Sequence, residues 1–190
     1  IILGDGMVGQ MMEPVLFPPF RKKLPKKDWT LTGSGKGPSR FLRSLLLDVN
    51  VLEEHNWKLH RKYEKISRKE VLFEEYETSD ADFVVVAYGT AARIAKGAVQ
   101  RARKNGLKVG LFRPITLWPF PADALVHASR GAKKVLVFEM SMGQMVEDVR
   151  LSVENGARVH FYGRPCGAGS LPKPGEILEQ IRSLYRDAGE

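Results

Sequence analysis

The hydrophobic pattern changes character near residue 70. Beyond that point, short β-type runs alternate with segments of helical period. Val71 to Tyr76 predicts a strand with Glu74, Glu75 and Glu77 along it. Phe83-Val84-Val85-Val86-Ala87-Tyr88 is an unbroken apolar run, as in a strand buried on both faces. Gly89-Thr90 open a helix through about Lys104, and Asn105-Gly106 supply its C-cap. Leu107 to Phe112 predicts the next strand, Pro114 and Pro119 bracket a loop, and Pro121 to Ser129 suits a helix. Val135 to Glu139 predicts a further strand. Ser141 is placed to cap a helix through Glu154, closed by Asn155-Gly156. Ala157 to Phe161 and Pro174 to Tyr185 predict the last strand and helix. Strands alternating with helices of this length imply an α/β domain with a largely parallel, helix-covered sheet.

Upstream the pattern is looser. Ile1 to Leu3 reads as a strand already under way, followed by a Gly4-Asp5-Gly6 turn and a short helix over Met7 to Val15. With no Met or basic region before it, this opening is not a signal peptide and predicts a piece of a longer chain. Residues 18–39, rich in Pro, Gly, Lys and Ser, have connector composition. Asn50 with Glu53 three residues on has the form of a capping box. Leu52, Leu59, Tyr63 and Ile66 follow at heptad-like steps with Asn56 in the seam, and Leu42, Leu45 and Val49 extend the phase upstream. The preferred reading is one amphipathic helix packed on a domain or a partner, ahead of a coiled coil.

Composition narrows the possibilities. The 190 residues are 43% hydrophobic and 27% charged, as in a globular protein, and no apolar run reaches the length of a membrane span. The formal net charge is +8, with basic clusters at Arg21 to Lys27 and Lys58 to Lys69. A solvated surface or an acidic protein partner ranks ahead of nucleic acid, because no nucleic-acid-binding motif accompanies the charge. Cys166 is the single cysteine. It fits a reducing cytoplasm and cannot by itself hold an iron–sulfur cluster. The four histidines are scattered, with no zinc-type spacing.

Candidate chemistry lies at the carboxyl ends of the predicted strands, where open α/β sheets bind ligands. Gly89-Thr90 lead into a helix N-terminus whose free N–H groups favour an anion. Arg93, Arg113 and Arg164 add positive charge to the same expected crevice. A tight turn that needs glycine remains the preferred reading of Gly89-Thr90. Glu139 is a base or a buried interface carboxylate, with the interface preferred because no histidine accompanies it. Gly163 to Ser170 is glycine-rich and can approach a phosphate or wrap a neighbour. Cys166 has no activating partner in sequence. Gly33-Ser34-Gly35-Lys36-Gly37 lacks a preceding strand and Walker spacing, so it reads as connector.

Longer stretches carry a resemblance. Ile2 to Val15 (Ile-Leu-Gly-Asp-Gly-Met-Val-Gly-Gln-Met-Met-Glu-Pro-Val) resembles the end of the pyrimidine-binding domain in branched-chain (2-oxoisovalerate) 2-oxoacid:ferredoxin oxidoreductase alpha subunits. Trp29 to Gly33 and Leu52 to Tyr63 resemble that family's connector. Val85 to Ile94, Gly110 to Pro121, Glu139 to Met145 and Tyr162 to Pro165 resemble its second domain. The matches run in order along nearly the whole chain. Cys166 departs from the pattern, standing in a run where the family tends to carry glycine.

The resemblance implies three parts. Residues 1–28 would be the C-terminal remnant of the pyrimidine-binding domain, 29–69 a connector with an amphipathic helix, and 70–190 a transketolase C-terminal-like domain. That domain is expected to be a three-layer α/β/α sandwich with a mixed five-stranded sheet. Its strand order would be 1-3-2-4-5, with the first strand antiparallel. The implied reaction is oxidative decarboxylation of a 2-oxoacid to an acyl-CoA. It uses thiamine diphosphate, magnesium and iron–sulfur clusters held elsewhere in the complex, with coenzyme A as substrate. This chain would bind none of the cofactors alone and contribute no catalytic or metal-ligating residue. Its expected role is assembly with a beta subunit, iron–sulfur subunits and other alpha subunits, and indirectly with ferredoxin, in the cytoplasm. Gly89, Thr90, Arg93, Arg113 and Arg164 stand as candidates for an anion or coenzyme A crevice. The alternatives are a related thiamine enzyme, of transketolase or oxoacid dehydrogenase E1 beta type, and a stand-alone basic binding module.

Overall fold

The structure is a computed structural model that describes residues 1–27, 29–31, 33, 35, 43–153, 158–165, 167 and 171–187. Its helices are α1 (Gly6–Gly9), α2 (Val49–Lys69), α3 (Gly89–Lys104), α4 (Ala122–Ser129), α5 (Met145–Ser152) and α6 (Pro174–Arg186). Its strands are β1 (Phe73–Tyr76), β2 (Phe83–Val86), β3 (Val109–Pro114), β4 (Lys134–Glu139) and β5 (Val159–Gly163). The sheet runs β1-β3-β2-β4-β5. β1 is antiparallel to β3, and the other pairings are parallel. Both the order and the single antiparallel strand are those implied by the resemblance.

The layers follow from alternation along the central strands. Phe83 and Val85 of β2, with Leu136 and Phe138 of β4, enter one core against α3 and α6. Val84 and Val86, with Val135 and Val137, enter the opposite core against α4 and α5. All four residues of β2 are buried, so its apolar run has helices on both sides. Each fully buried valine or leucine is worth roughly 1.5–3 kcal/mol of apolar transfer. On α3 the buried face is made of Ala91, Ala92, Ala95, Ala98, Val99 and Ala102. Small side chains let the helix lie close to its neighbours; a Cβ on Gly97 would already stand 3.5 Å from Pro174 of α6.

Arg103 ties the end of α3 to the turn between β1 and β2. Its guanidinium donates to Val109 O at 2.7 Å, to Glu77 O at 2.5 Å and to both Asp80 carboxylate oxygens at 2.8 and 3.0 Å. Arg103 holds the Asp80 carboxyl below its ordinary value. The same turn packs against Gly110 of β3, where a Cβ would lie 2.7 Å from Glu77 O. Only glycine admits that approach.

Several boundaries differ from the sequence expectation. Ile1 to Leu3 form no strand and are exposed, having no neighbouring strand to pair with. The helix expected from Met7 to Val15 shrinks to α1, which stops well short of Pro14. Helix α2 is capped by Asp48, whose Oδ1 accepts from Asn50 N at 2.9 Å and Val51 N at 3.1 Å, and not by Asn50. α5 starts at Met145, later than a Ser141 cap would give. Glu154, Asn155, Gly156 and Ala157 lie outside the described residues.

The chain divides into two units, one of Ile1–Gln10 with Glu64–Glu190 and the other of Met11–Tyr63. The first holds the sheet and its helices. The second consists of extended segments and most of α2, with no buried residue among those described. No helix among the described residues is long and apolar enough to cross a membrane.

His160 of β5 reports on the packing of this edge. Burial, and then the Lys134 charge, hold its imidazole below the ordinary value of 6.5, against an opposing pull from Asp187. A depressed folded value means that the native state favours the neutral ring. The stabilisation is complete above the unfolded value and is lost as pH falls from there through the folded value. The urea midpoint should therefore drop more steeply in the native chain than in His160→Gln between about pH 7 and 5. Parallel curves for the two proteins would show that the ring contributes nothing.

Candidate functional site

The connection after β2 leads to β3 on one side of it, and the connection after β3 passes to β4 on the other. The carboxyl ends of β2 and β4 therefore flank the switch point of the sheet, where such folds bind ligands. Two helices begin here: α3 after Tyr88 and α5 after Gln144.

The N-terminus of α5 is filled by Glu139, the last residue of β4. Glu139 is fully buried. Its carboxylate accepts from the backbone N–H groups of Val146 at 2.9 Å, Met145 at 3.1 Å and Gln144 at 3.2 Å. The Ser141 hydroxyl donates to it at 3.1 Å, and Ser141 Oγ in turn accepts from Gly143 N at 3.2 Å. A first-turn carboxylate answers both the unpaired N–H groups and the positive end of the helix dipole. Glu139 is buried, as the preferred sequence reading expects, and within this chain its carboxylate is bonded to the start of α5. Its charge also raises the phenol of Tyr88, after the larger effect of burial.

The N-terminus of α3 has no cap from its own Tyr88. Gly89 takes φ +56°, where a side chain would be strained, and the Asp5 carboxylate approaches it. Asp5 accepts from Met7 N at 2.9 Å. Its carboxyl is held below the ordinary value first by the side chain of Thr90, then by the Met7 N–H, with a further contribution from the Thr90 N–H. The buried Thr90 hydroxyl nevertheless makes no hydrogen bond of normal geometry. Asp5 thus stands beside the start of α3 as a neighbouring charge, its carboxylate 3.8 Å from where a Cβ on Gly89 would lie.

The five candidate positions do not gather into one crevice. Gly89 and Thr90 meet Asp5. Arg93 is exposed on the first turn of α3. Arg113 turns to the β1 side of the sheet, 2.9 Å from Glu74. Arg164 follows β5, where its N–H donates to Glu139 O at 2.8 Å and its Nε lies 3.5 Å from Glu176. The Arg113 pair is solvent-exposed and contributes little to stability, and the Arg164 pair is half-buried. Gly163, before Arg164, is enforced by contact: a Cβ would stand 2.7 Å from the Phe161 ring and 2.8 Å from Ser141 O. Cys166, Gly169 and Ser170 lie outside the described residues, as do Ser34, Lys36 and Gly37.

Sequence reading missed the role of Asp5. The Asx turn of Gly-Asp-Gly was a visible signal for its cap on α1, but nothing local pointed to α3, more than eighty residues away. Among the described residues, no three His, Cys, Asp or Glu side chains converge to hold a metal ion. The described residues thus offer no such cluster to hold a magnesium–diphosphate group. What the arrangement does chemically is to bond a carboxylate of the chain into the α5 N-terminus and to set another, Asp5, beside that of α3.

Replacing Glu139 with Gln removes the charge and points an amide donor at backbone donors. Leaving buried N–H groups poorly paired costs on the order of 2 kcal/mol. Glu139→Gln should lower the unfolding free energy by about that amount in denaturant titrations. An unchanged midpoint would remove Glu139 from the stabilising framework.

The family model for pyruvate:ferredoxin oxidoreductase core domain II matches residues 81–177, which span β2 to the start of α6. The chain is 39% identical over its whole length to ketoisovalerate oxidoreductase subunit VorB of Methanothermobacter thermautotrophicus and 41% identical to that of Methanothermobacter marburgensis. In both cases it covers 53% of the relative, so the chain spans about half the length of these curated proteins. A solved 2-oxoglutarate:ferredoxin oxidoreductase from Magnetococcus marinus, with 2-oxoglutarate, coenzyme A and succinyl-CoA bound, shares the fold. Its TM-score is 0.62 at 24% identity, covering 73% of this chain and 24% of that one. With a domain match over half its residues and subunit relatives aligned from end to end, this chain belongs to the pyruvate:ferredoxin oxidoreductase core domain II family.

Proposed function

We propose that this chain is the C-terminal part of the alpha subunit of a thiamine diphosphate-dependent 2-oxoacid:ferredoxin oxidoreductase of 2-oxoisovalerate type. It acts in subunit assembly and is not catalytic alone. The observation that carries this reading is the 39–41% identity to ketoisovalerate oxidoreductase subunits over the entire chain. Glu139, bonded into the α5 N-terminus, and Asp5, beside that of α3, support it as carboxylates of the chain's own framework. On this reading residues 1–28 close the pyrimidine-binding domain, 29–69 connect, and 70–190 form the transketolase C-terminal-like domain. The complex works in the cytoplasm with a beta subunit, iron–sulfur subunits and ferredoxin.

The test is reconstitution. The complex containing this chain should reduce ferredoxin with 2-oxoisovalerate and coenzyme A, and the chain alone should not. A complex that prefers pyruvate or 2-oxoglutarate would overturn the substrate assignment, and turnover by the isolated chain would overturn the assembly role.

A contribution to coenzyme A binding belongs to the same proposal. Arg93, Arg113 and Arg164 supply cations near the carboxyl edge of the sheet, whereas Asp5 opposes an anion at Gly89 and Thr90. Titration of coenzyme A into the chain, followed by calorimetry, should give saturable heat that Arg164→Ala weakens. No saturable heat at millimolar ligand would remove these residues from the coenzyme A path.

A further inference from the structure

Helix α3 ends on an Asn-Gly pair in water: Asn105 and Gly106 are both exposed. Asparagine is a thermolabile residue. It is most so before glycine, whose missing Cβ leaves its own nitrogen free to approach the asparagine side chain. The fold holds that nitrogen away. Asn105 takes φ −92° and ψ 12°, which turns Gly106 N from the Asn105 Cγ. Gly106 takes φ +81°. Its N–H donates to Arg103 O at 2.9 Å, and the Leu107 N–H donates to Ala102 O at 3.1 Å. These two bonds are those of a Schellman cap. The Arg103 side chain then straps the turn from outside. Its Nε reaches past Asn105 and Gly106 to Val109 O at 2.7 Å, and Asp80 fixes the far end of the guanidinium.

We propose that Asn105 is a site of spontaneous deamidation, held in check by the Arg103 strap. Gly106 N loses its proton and attacks the Asn105 Cγ. The bond from Cγ to the side-chain nitrogen breaks, and ammonia leaves with a proton, closing a five-membered succinimide. Water then adds to one of the two ring carbonyls. Opening on one side gives aspartate, and on the other isoaspartate, in which the main chain runs through the side chain. Nothing is oxidised or reduced, and water is the only co-reactant. The exposed cations Arg101, Lys104 and Lys108 surround the turn and favour the deprotonated nitrogen. Ring closure requires Asn105 ψ to turn and the Gly106 N–H bond to break, so it proceeds only when the cap frays. Both products place a carboxylate at the negative end of the α3 dipole. Isoaspartate also lengthens the main chain inside the turn, which separates the Ala102 and Leu107 partners.

This inference does not depend on the proposed reaction. The full chain is kept in mildly alkaline buffer over weeks, with circular dichroism to confirm that it stays folded. Mass spectrometry then follows the fragment that carries residue 105, apart from the second Asn-Gly pair at Asn155 and Gly156. That fragment should gain the mass of an amide-to-acid exchange, and enzymatic methylation should detect isoaspartate in it. Asp80→Asn, which removes the ion partner of Arg103 from an exposed position, should speed the exchange several-fold in the folded chain. Urea should speed it further. In urea, where the positive φ of Gly106 no longer matters, Gly106→Ala should slow it several-fold, because the added Cβ hinders the attack. A folded chain that gains no mass at residue 105 would overturn the site. Equal rates in the native chain, in Asp80→Asn and in urea would overturn the strap. An exchange in urea indifferent to Gly106→Ala would overturn the succinimide route.

Discussion

Burial of β2 on both faces is the constraint from which the rest of this fold follows. Four consecutive residues, Phe83 to Val86, have no access to water beyond a trace, so helices must cover each side and neighbouring strands must satisfy each backbone group. Parallel neighbours then require helical crossovers. The crossovers become α3, α4 and α5, and α6 joins α3 to complete one layer. Even the alanine face of α3 answers to this strand, because a helix lying over a packed sheet and beside another helix has little room for larger side chains.

A sheet with this order opens a crevice between β2 and β4, with helix N-termini beside it. In many α/β proteins those N-termini hold a ligand's anion. Here the chain provides the anions itself. Glu139 reaches forward into α5 with bonds from three N–H groups and a hydroxyl, and Asp5, distant in sequence, stands beside the start of α3. The Glu139 carboxylate locks the end of β4 to the start of α5. The curated relatives that the chain matches are about twice its length.

The two units differ in how they use hydrophobic residues. In the sheet-bearing unit such residues are mostly inside; in Met11–Tyr63 they are exposed, as at Leu16, Phe17, Phe20 and Trp57. Exposure on this scale has an energetic consequence: apolar surface left in water is available to drive association.

Much of the fold could be read directly from the chain. The apolar run at Phe83, the Asn105-Gly106 stop and the alternation of short strands with helices each depend on residues close in sequence. Local periodicity and local caps are properties of a segment by itself. Strand order came only through the resemblance, since periodicity carries no information about which strand lies beside which. The first strand failed at Ile1 to Leu3 because a strand needs a pairing partner that the segment cannot supply. The candidate site was harder still. Gly89 and Thr90 were visible as a helix start, but their contact with Asp5 closes a gap of more than eighty residues. The role of Glu139 depends on where α5 begins, which its own carboxylate decides. Sequence alone determined the segments and their faces. Tertiary structure decided which charges met which helix ends, because that meeting exists only after distant segments have packed together.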